Sequence, residues 1–221
     1  MSPLTPVLSP EQTASRLDGS GFVQLRGSLH ASFSTGDFVS AARLVADVGN
    51  AAEAMNHHPD IQLGYGSVSF RLSSHDAGGV TERDLQLAAQ ISELATAAGA
   101  RVQPGTPAEY EVAIDCMDAG AIRDFWRVGL GYQEREDGDG DVSLIDPRGS
   151  GPTVWFQQMG TPRSDRNRLH LDVYVPTVEA KDRVAAIVTA GGTLMTDEHA
   201  PAWWVLADVD GNELCVCTSE R

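Results

Sequence analysis

The chain has 221 residues, 42% of them hydrophobic and 21% charged, with a formal net charge of -15 at pH 7. That is enough apolar material for one large core or two small ones, while no apolar run approaches the ~20 residues of a membrane-spanning helix. A surplus of carboxylates is the wrong charge for phosphate backbones and anionic lipid, so neither nucleic acid nor a membrane is expected as a partner.

The surplus is uneven. Residues 1–104 carry 10 acidic and 6 basic side chains and residues 105–221 carry 21 and 10, so the second half is the less suited to any polyanion. The N-terminus, MSPLTPVLSP, lacks the basic stretch and apolar run of a secretory leader. Three cysteines, Cys116, Cys215 and Cys217, are an odd number, and two stand one residue apart, so they form no disulfide framework. A reducing, cytoplasmic setting is the simplest expectation.

In chain order, Pro10–Asp18 reads as a short helix with Ser9 as its N-cap, and Phe22–Leu25 and Ser28–Ser34 read as strands around Gly27. Phe38, Ala41, Val45, Val48 and Ala52 have helical spacing, which predicts a helix over Asp37–Met55. Gln62–Tyr65 and Ser67–Leu72 read as a second strand pair, the latter alternating as a sheet with one wet face does. Glu82–Ala98 is a third helix. Arg101–Pro107, RVQPGTP, has linker chemistry, which divides the chain into domains 1–103 and 104–221.

The second domain holds a weak repeat. Strand Glu111–Cys116, helix Gly120–Val128, turn Asp146–Gly149 and strand Thr153–Gln157 recur about 60 residues later. The second copy is strand His170–Val175, helix Glu179–Ala190, turn Asp208–Asn212 and strand Glu213–Cys217. Two such βαβββ units each lack a sufficient core, so pairing them is physically sensible. The fold class expected is therefore α+β: an N-terminal four-stranded antiparallel sheet with helices on one face, then paired βαβββ repeats.

Three of the six histidines, His57, His58 and His75, fall within nineteen residues. Pro59 disfavours helical backbone at His58, so a helix should end there and leave both imidazoles in a loop. His75 lies just past a strand, and the three could converge at one end of the sheet. Imidazole is the side chain best matched to moving protons near neutral pH. The plainer readings are solvated loop residues at His57 and His58 and a turn-capping pair at His75 and Asp76. Adjacent histidines rarely aim at one ion, so no metal is expected in this half.

Glu53-x-x-x-His57-His58-Pro59, Tyr65, then Ser74-His75-Asp76-x-Gly78-Gly79-Val80-Thr81-x-x-Asp84 resembles the signature of the pterin-4a-carbinolamine dehydratases over about the first 100 residues. The resemblance implies a hydro-lyase that removes water from 4a-hydroxytetrahydrobiopterin without a cofactor or a metal. It implies that His57, His58, His75 and Glu53 form the catalytic site, at least two of the imidazoles acting as acid and base; His58 and His75 are the expected pair, with His57 nearer to substrate positioning, a division the sequence leaves open. Thr81-x-x-Asp84 fits a helix capping motif, which accounts for Asp84 without catalysis. Ile61 and Phe22 stand where this family often has Trp.

The second half resembles the glyoxalase/bleomycin-resistance (vicinal oxygen chelate) superfamily. Val112–Asp118, Phe125-Trp126, Gly129–Tyr132, His170–Val173 and Asp208–Asn212 carry the likeness. It implies a fold rather than a reaction, since this fold hosts many chemistries. Its metal-using members take ligands from the first and last strands of both repeats, which here gives a weak candidate divalent-metal site of Glu111, His170 and Cys215. Trp203-Trp204 could form a loop over the cup or could pack.

The function expected is thus dehydration of a small-molecule pterin by histidine acid–base catalysis, in a chain that could form a homo-oligomer, with an appended glyoxalase-like domain of unknown ligand. Two alternatives stay open: a non-enzymatic dimerisation or partner-binding module, and a C-terminal metal-dependent lyase or dioxygenase.

Overall fold

The computed structural model describes residues 6–103, 107–137, 140–163, 165, 167 and 169–220. The chain divides into two compact units, Met1–Glu109 and Tyr110–Arg221. Among the described residues no helix is long and apolar enough to cross a membrane.

In the first unit, helix α1 (Pro10–Leu17) starts at Ser9, whose hydroxyl accepts from the Gln12 N–H while the Gln12 side chain accepts from the Ser9 N–H. Such a reciprocal cap stabilises a short helix by about 1 kcal/mol. Strands β1 (Val23–Leu25), β2 (Ser28–Ser34), β3 (Asp60–Gly64) and β4 (Ser67–Leu72) pair antiparallel in the order β1-β2-β4-β3. Alternation sends Leu29, Ala31 and Phe33 of β2 and Val68, Phe70 and Leu72 of β4 into the core. There they meet Ala41, Leu44, Val48 and Ala52 of α2 (Phe38–Met55) and Leu85, Ala88 and Ile91 of α3 (Glu82–Ala97). Phe33 and Phe70 meet edge to face at 6.0 Å, and each fully buried aromatic or aliphatic side chain contributes roughly 1.5–3 kcal/mol. The opposite face of the sheet is polar, with Ser32 and Ser69 bonded at 2.8 Å across β2 and β4.

Two expectations need correction. β3 starts at Asp60, two residues earlier than the Gln62 start read from alternation, because its pairing with β4 runs back to Asp60 opposite Arg71. The expected linker also begins inside the domain. Arg101–Val102 forms a fifth strand, β5, opposite Ser34 and Phe33, and the Gln103 N–H donates to the Ser32 carbonyl. Two residues are too few to show a period, so pairing with the free edge of β2 beyond β1 overrides the linker composition. Residues 104–106 of that stretch, and with them the expected 103/104 boundary, lie at the margin or outside of the described residues.

The second unit contains two βαβββ modules. Strands β6 (Glu111–Cys116), β7 (Gln133–Glu136), β8 (Val142–Ile145) and β9 (Thr153–Gln158) pair in the order β6-β9-β8-β7 around helix α4 (Ala119–Leu130). Strands β10 (Leu171–Tyr174), β11 (Thr193–Thr196), β12 (Trp203–Ala207) and β13 (Glu213–Cys217) repeat that order as β10-β13-β12-β11 around α5 (Thr177–Thr189). In both modules the first and last strands pair parallel, which the intervening helix allows. Helix α4 ends at Gly131 with φ 70°, a left-handed cap that a residue with a Cβ adopts only with strain. One core takes Ile114, Cys116, Ile122, Phe125, Trp126, Ile187, Trp204, Leu206, Leu214 and Val216.

Trp203-Trp204 is not a loop. Both belong to β12, and alternation buries Trp204 in the core while Trp203 turns to the other face and stacks on His199 at 4.3 Å.

Candidate active site

Helix α2 stops because Asn56 adopts the left-handed conformation, φ 47°, and its N–H returns to the carbonyls of Ala52 and Glu53. The His57 N–H then bonds the Ala52 carbonyl. This turn buries the His57 ring, and Pro59 carries the chain into β3. His58 stays about half exposed, with its Nε2 3.3 Å from Glu53 Oε1. Glu53, one helical turn back, therefore partners His58 rather than His57.

His75 opens a turn that follows β4. The Ser74 carbonyl accepts from Ala77 and Gly78, and Ser74 bridges to Gly79 across the turn. His75 itself is exposed. The next residue, Asp76, pairs with Arg83 in the first turn of α3. That guanidinium holds the Asp76 carboxyl below the usual range, with a smaller contribution from His57.

Asp84 ties these segments together. It is fully buried and caps α3 by accepting from the Thr81 N–H at 2.7 Å on Oδ2. The Ser74 hydroxyl also donates to Oδ2, at 2.7 Å, and lies 2.8 Å from the Thr81 hydroxyl. Oδ1 lies 2.8 Å from His57 Nε2. With Oδ2 taken by Ser74 and Thr81, Oδ1 accepts from His57, which fixes a hydrogen on Nε2 and leaves Nδ1 as the other site of exchange. A buried carboxylate is tolerable only with such a set of donors.

Asp84 and Ser74 are thus the residues that sequence reasoning left out of the site. The capping signal at Thr81-x-x-Asp84 was correct, but it accounts for one oxygen of Asp84 and not the other. No spacing rule reaches from His57 to Asp84, 27 positions along.

In the second unit, His170, Asp172 and Cys215 come together, with one donor atom from each lying within 4.8 Å of the others. His170 Nε2 is 3.2 Å from Asp172 Oδ1. Asp172 stands directly opposite Cys215 in the β10–β13 register. Burial, together with the Asp172 carboxylate beside it, pushes the Cys215 thiol up to about 12. Two of the three residues expected as ligands are in this group. Glu111 stands outside it, and Asp172 takes the third place. A nitrogen, an oxygen and a sulfur are a donor set that fits a borderline-soft divalent ion. A cavity of about 500 Å³ is lined by Asp115, Arg163, His170 and Glu213 among others.

The family model for pterin 4 alpha carbinolamine dehydratase matches residues 6–94. A Nocardia farcinica protein that carries the name pterin-4-alpha-carbinolamine dehydratase provisionally is 42% identical over 92 residues, 41% of this chain and 97% of that protein. The chain belongs to the pterin-4a-carbinolamine dehydratase family. A Koribacter versatilis protein with the same provisional name is 50% identical over 58 residues, 26% of this chain and 62% of that protein. These matches concern the first unit. A glyoxalase-like domain model matches residues 111–217. A solved glyoxalase/bleomycin resistance protein/dioxygenase family enzyme from Burkholderia phytofirmans covers 51% of this chain and 100% of itself, at 20% identity and a TM-score of 0.42. By the two family models, the chain is a dehydratase-family unit joined to a glyoxalase-like one.

Proposed function

We propose that the first unit dehydrates a pterin-4a-carbinolamine by imidazole acid–base catalysis, without metal or cofactor. Expulsion of hydroxide from C4a is slow unless an acid protonates the leaving oxygen. Formation of the C4a=N5 double bond requires a base to take the N5 proton. Each transfer by a placed side chain typically contributes about 10²–10⁴-fold.

The observation that carries this reading is the unequal treatment of three imidazoles that stand within nineteen residues. His57 is buried and its Nε2 is committed to Asp84, which suits holding substrate in place. His58 and His75 are exposed and free to exchange protons with a bound substrate and with water. His58 and His75 are accordingly the acid–base pair. A partner-binding scaffold has no need of this division.

The test is rapid-mixing measurement of carbinolamine dehydration by the full chain and by His58→Ala and His75→Ala. Each substitution is expected to lower turnover by about 10²-fold or more, the scale of one acid or base. Near-normal turnover in both variants would remove the assignment.

A further inference from the structure

We propose that Val7–Leu8 is a positioning strap for the turn that carries His75, and that Gln24 is the residue that fastens it. The inference rests on the dehydratase reading, because it concerns the place of one of the two exchanging imidazoles. The His75 ring is exposed, so its place follows from the backbone of the Ser74–Gly79 turn. Neighbouring elements fix two sides of that turn. The Ser74 hydroxyl reaches Asp84, and the Ser73 hydroxyl donates to the Gly27 carbonyl at 3.0 Å. The strap closes a third side. The Leu8 N–H donates to the Val80 carbonyl at 2.7 Å, directly after the turn. Val7 lies against the bare α-carbon of Gly79, where a Cβ would come within 2.6 Å of its Cγ1. The two glycines of the turn therefore answer different needs. Gly78 has φ 73°, which a residue with a Cβ adopts only with strain. Gly79 has no positive φ, and its missing Cβ is the seat of Val7.

Gln24 of β1 holds the strap down. Its Nε2 donates to the Leu8 carbonyl at 3.1 Å, and its Oε1 accepts from the buried Thr13 hydroxyl of α1 at 2.6 Å. Leu8 thus directs its N–H to the end of the His75 turn and its carbonyl to a side chain anchored in α1. Arg16 of α1 in turn pairs through two nitrogens with both carboxylate oxygens of Glu82, at the start of α3. The strap and the cap of α3 therefore brace the turn from the same helix. Such bracing matters because a proton-transfer group displaced by about 1 Å can lose about 10²-fold in rate. Val7, Leu8 and Gln24 act through the backbone of the turn, which makes them positioning residues.

The experiment measures kcat and KM of dehydration for the full chain and for Gln24→Ala, each with and without His75→Ala. In Gln24→Ala the Thr13 hydroxyl can turn to the Pro10 carbonyl, 3.1 Å away, so no buried donor is stranded. Loosening the strap should lower kcat about tenfold and leave KM within about twofold, since a misplaced proton-transfer group weakens the transition state and not substrate binding. In the His75→Ala background the same change should have less than about a twofold effect, because the group it positions is gone. An equal loss in both backgrounds would make Gln24 a general support of the fold and overturn the proposal, as would an unchanged kcat in Gln24→Ala. Near-normal turnover in His75→Ala alone is a different failure: it removes His75 from the acid–base pair, and the strap with it. A second pair of variants decides the matter if Gln24→Ala does not fold. Gly79→Ala should push Val7 off its seat and lower kcat about tenfold. Adding Val7→Ala removes the methyl that the new Cβ meets and leaves the Val7 Cβ position 3.7 Å from it, so most of the loss should be restored. No loss in Gly79→Ala, or a loss that Val7→Ala does not restore, would overturn the proposal.

Discussion

The two units place their reactive side chains in opposite ways. In the first, every residue of the histidine cluster sits on a turn or a helix end: His57 and His58 after the left-handed Asn56, His75 in the Ser74–Gly79 turn, Asp84 in the first turn of α3. In the second, Asp172 and Cys215 lie within paired strands and His170 immediately before one, on the face turned away from the core. The His57 ring, the Ser74 turn and the α3 cap are held by hydrogen bonds to one carboxylate, Asp84, so removing it should loosen all three. Strands hold side chains through the backbone ladder, so changing one should leave its neighbours in place. That difference can be broken experimentally.

The largest effect should come from Asp84→Ala. It would leave His57 Nε2 buried without its acceptor, leave the Ser74 hydroxyl only Thr81 as a partner, and remove half of a capping box. Breaking a buried charge-assisted network of this kind typically costs about 3–5 kcal/mol. Urea unfolding of the full chain, followed by a probe of the first unit, measures it. A loss below about 1 kcal/mol would mean that Asp84 is not the tie. Asp84→Asn keeps an acceptor for Thr81 and should recover part of the stability. It presents His57 with an amide, so the pH–rate profile of dehydration should still change. A purely structural Asp84 would leave that profile unmoved. Next in size are the losses expected in His58→Ala and His75→Ala, about 10²-fold or ~2.7 kcal/mol in the barrier each. Both side chains are exposed, so unlike Asp84→Ala these variants should unfold with near-normal midpoints.

The second unit offers a contrasting carboxylate on a turn. Burial works to raise the Asp146 carboxyl, but the Arg148 side chain and the N–H groups of Arg148, Gly151 and Ser150 prevail and bring it down to about 2. Its unperturbed value lies near 3.9. A group whose folded value is depressed contributes stability above the unfolded value and loses it as pH falls towards the folded one. Asp146→Asn should therefore cost about 2 kcal/mol at pH 7, roughly half of that at pH 3 and little at pH 2. A cost independent of pH would show that the turn needs the shape of the side chain and not its charge.

The same contrast explains what was legible in the sequence. The histidine cluster could be read because turn and cap chemistry is local: Pro59, Gly78 and Thr81-x-x-Asp84 announce themselves within a few residues. The turns at Asp146–Gly149 and Asp208–Asn212 were legible for the same reason. The bond from Asp84 to His57 was not, because it depends on how α3 docks beside the end of α2. Neither was the opposition of Asp172 to Cys215, which is set by strand register across 43 positions. Glu111 drew attention as a ligand by its place in the first repeat, and only pairing shows that Asp172 is the residue beside Cys215. Trp203 and Trp204 read from sequence either as a loop over the cup or as packing residues. Alternation within β12 divides them between two faces instead.

The smallest expected effect concerns separation of the units. The apolar core of the first runs from Leu8 to Ala100 and that of the second from Val112 to Val216, so no core residue is shared in sequence. All of His57, His58, His75 and Asp84 lie in the first. A chain ending at Glu109 should therefore fold and retain dehydration within about twofold of the full protein, because each unit buries its own core. The end point matters. A chain ending at Ala100 would lose β5 and leave the Ser32 carbonyl and the far edge of β2 without their partners. Each lost backbone bond contributes about 0.5–1.5 kcal/mol, so this shorter chain should unfold at lower urea while the longer one does not. Circular dichroism and the dehydration assay on both chains decide the matter. If the chain ending at Glu109 is unfolded or inactive while the full protein works, the cores are not independent, and the glyoxalase-like unit supports the pterin site.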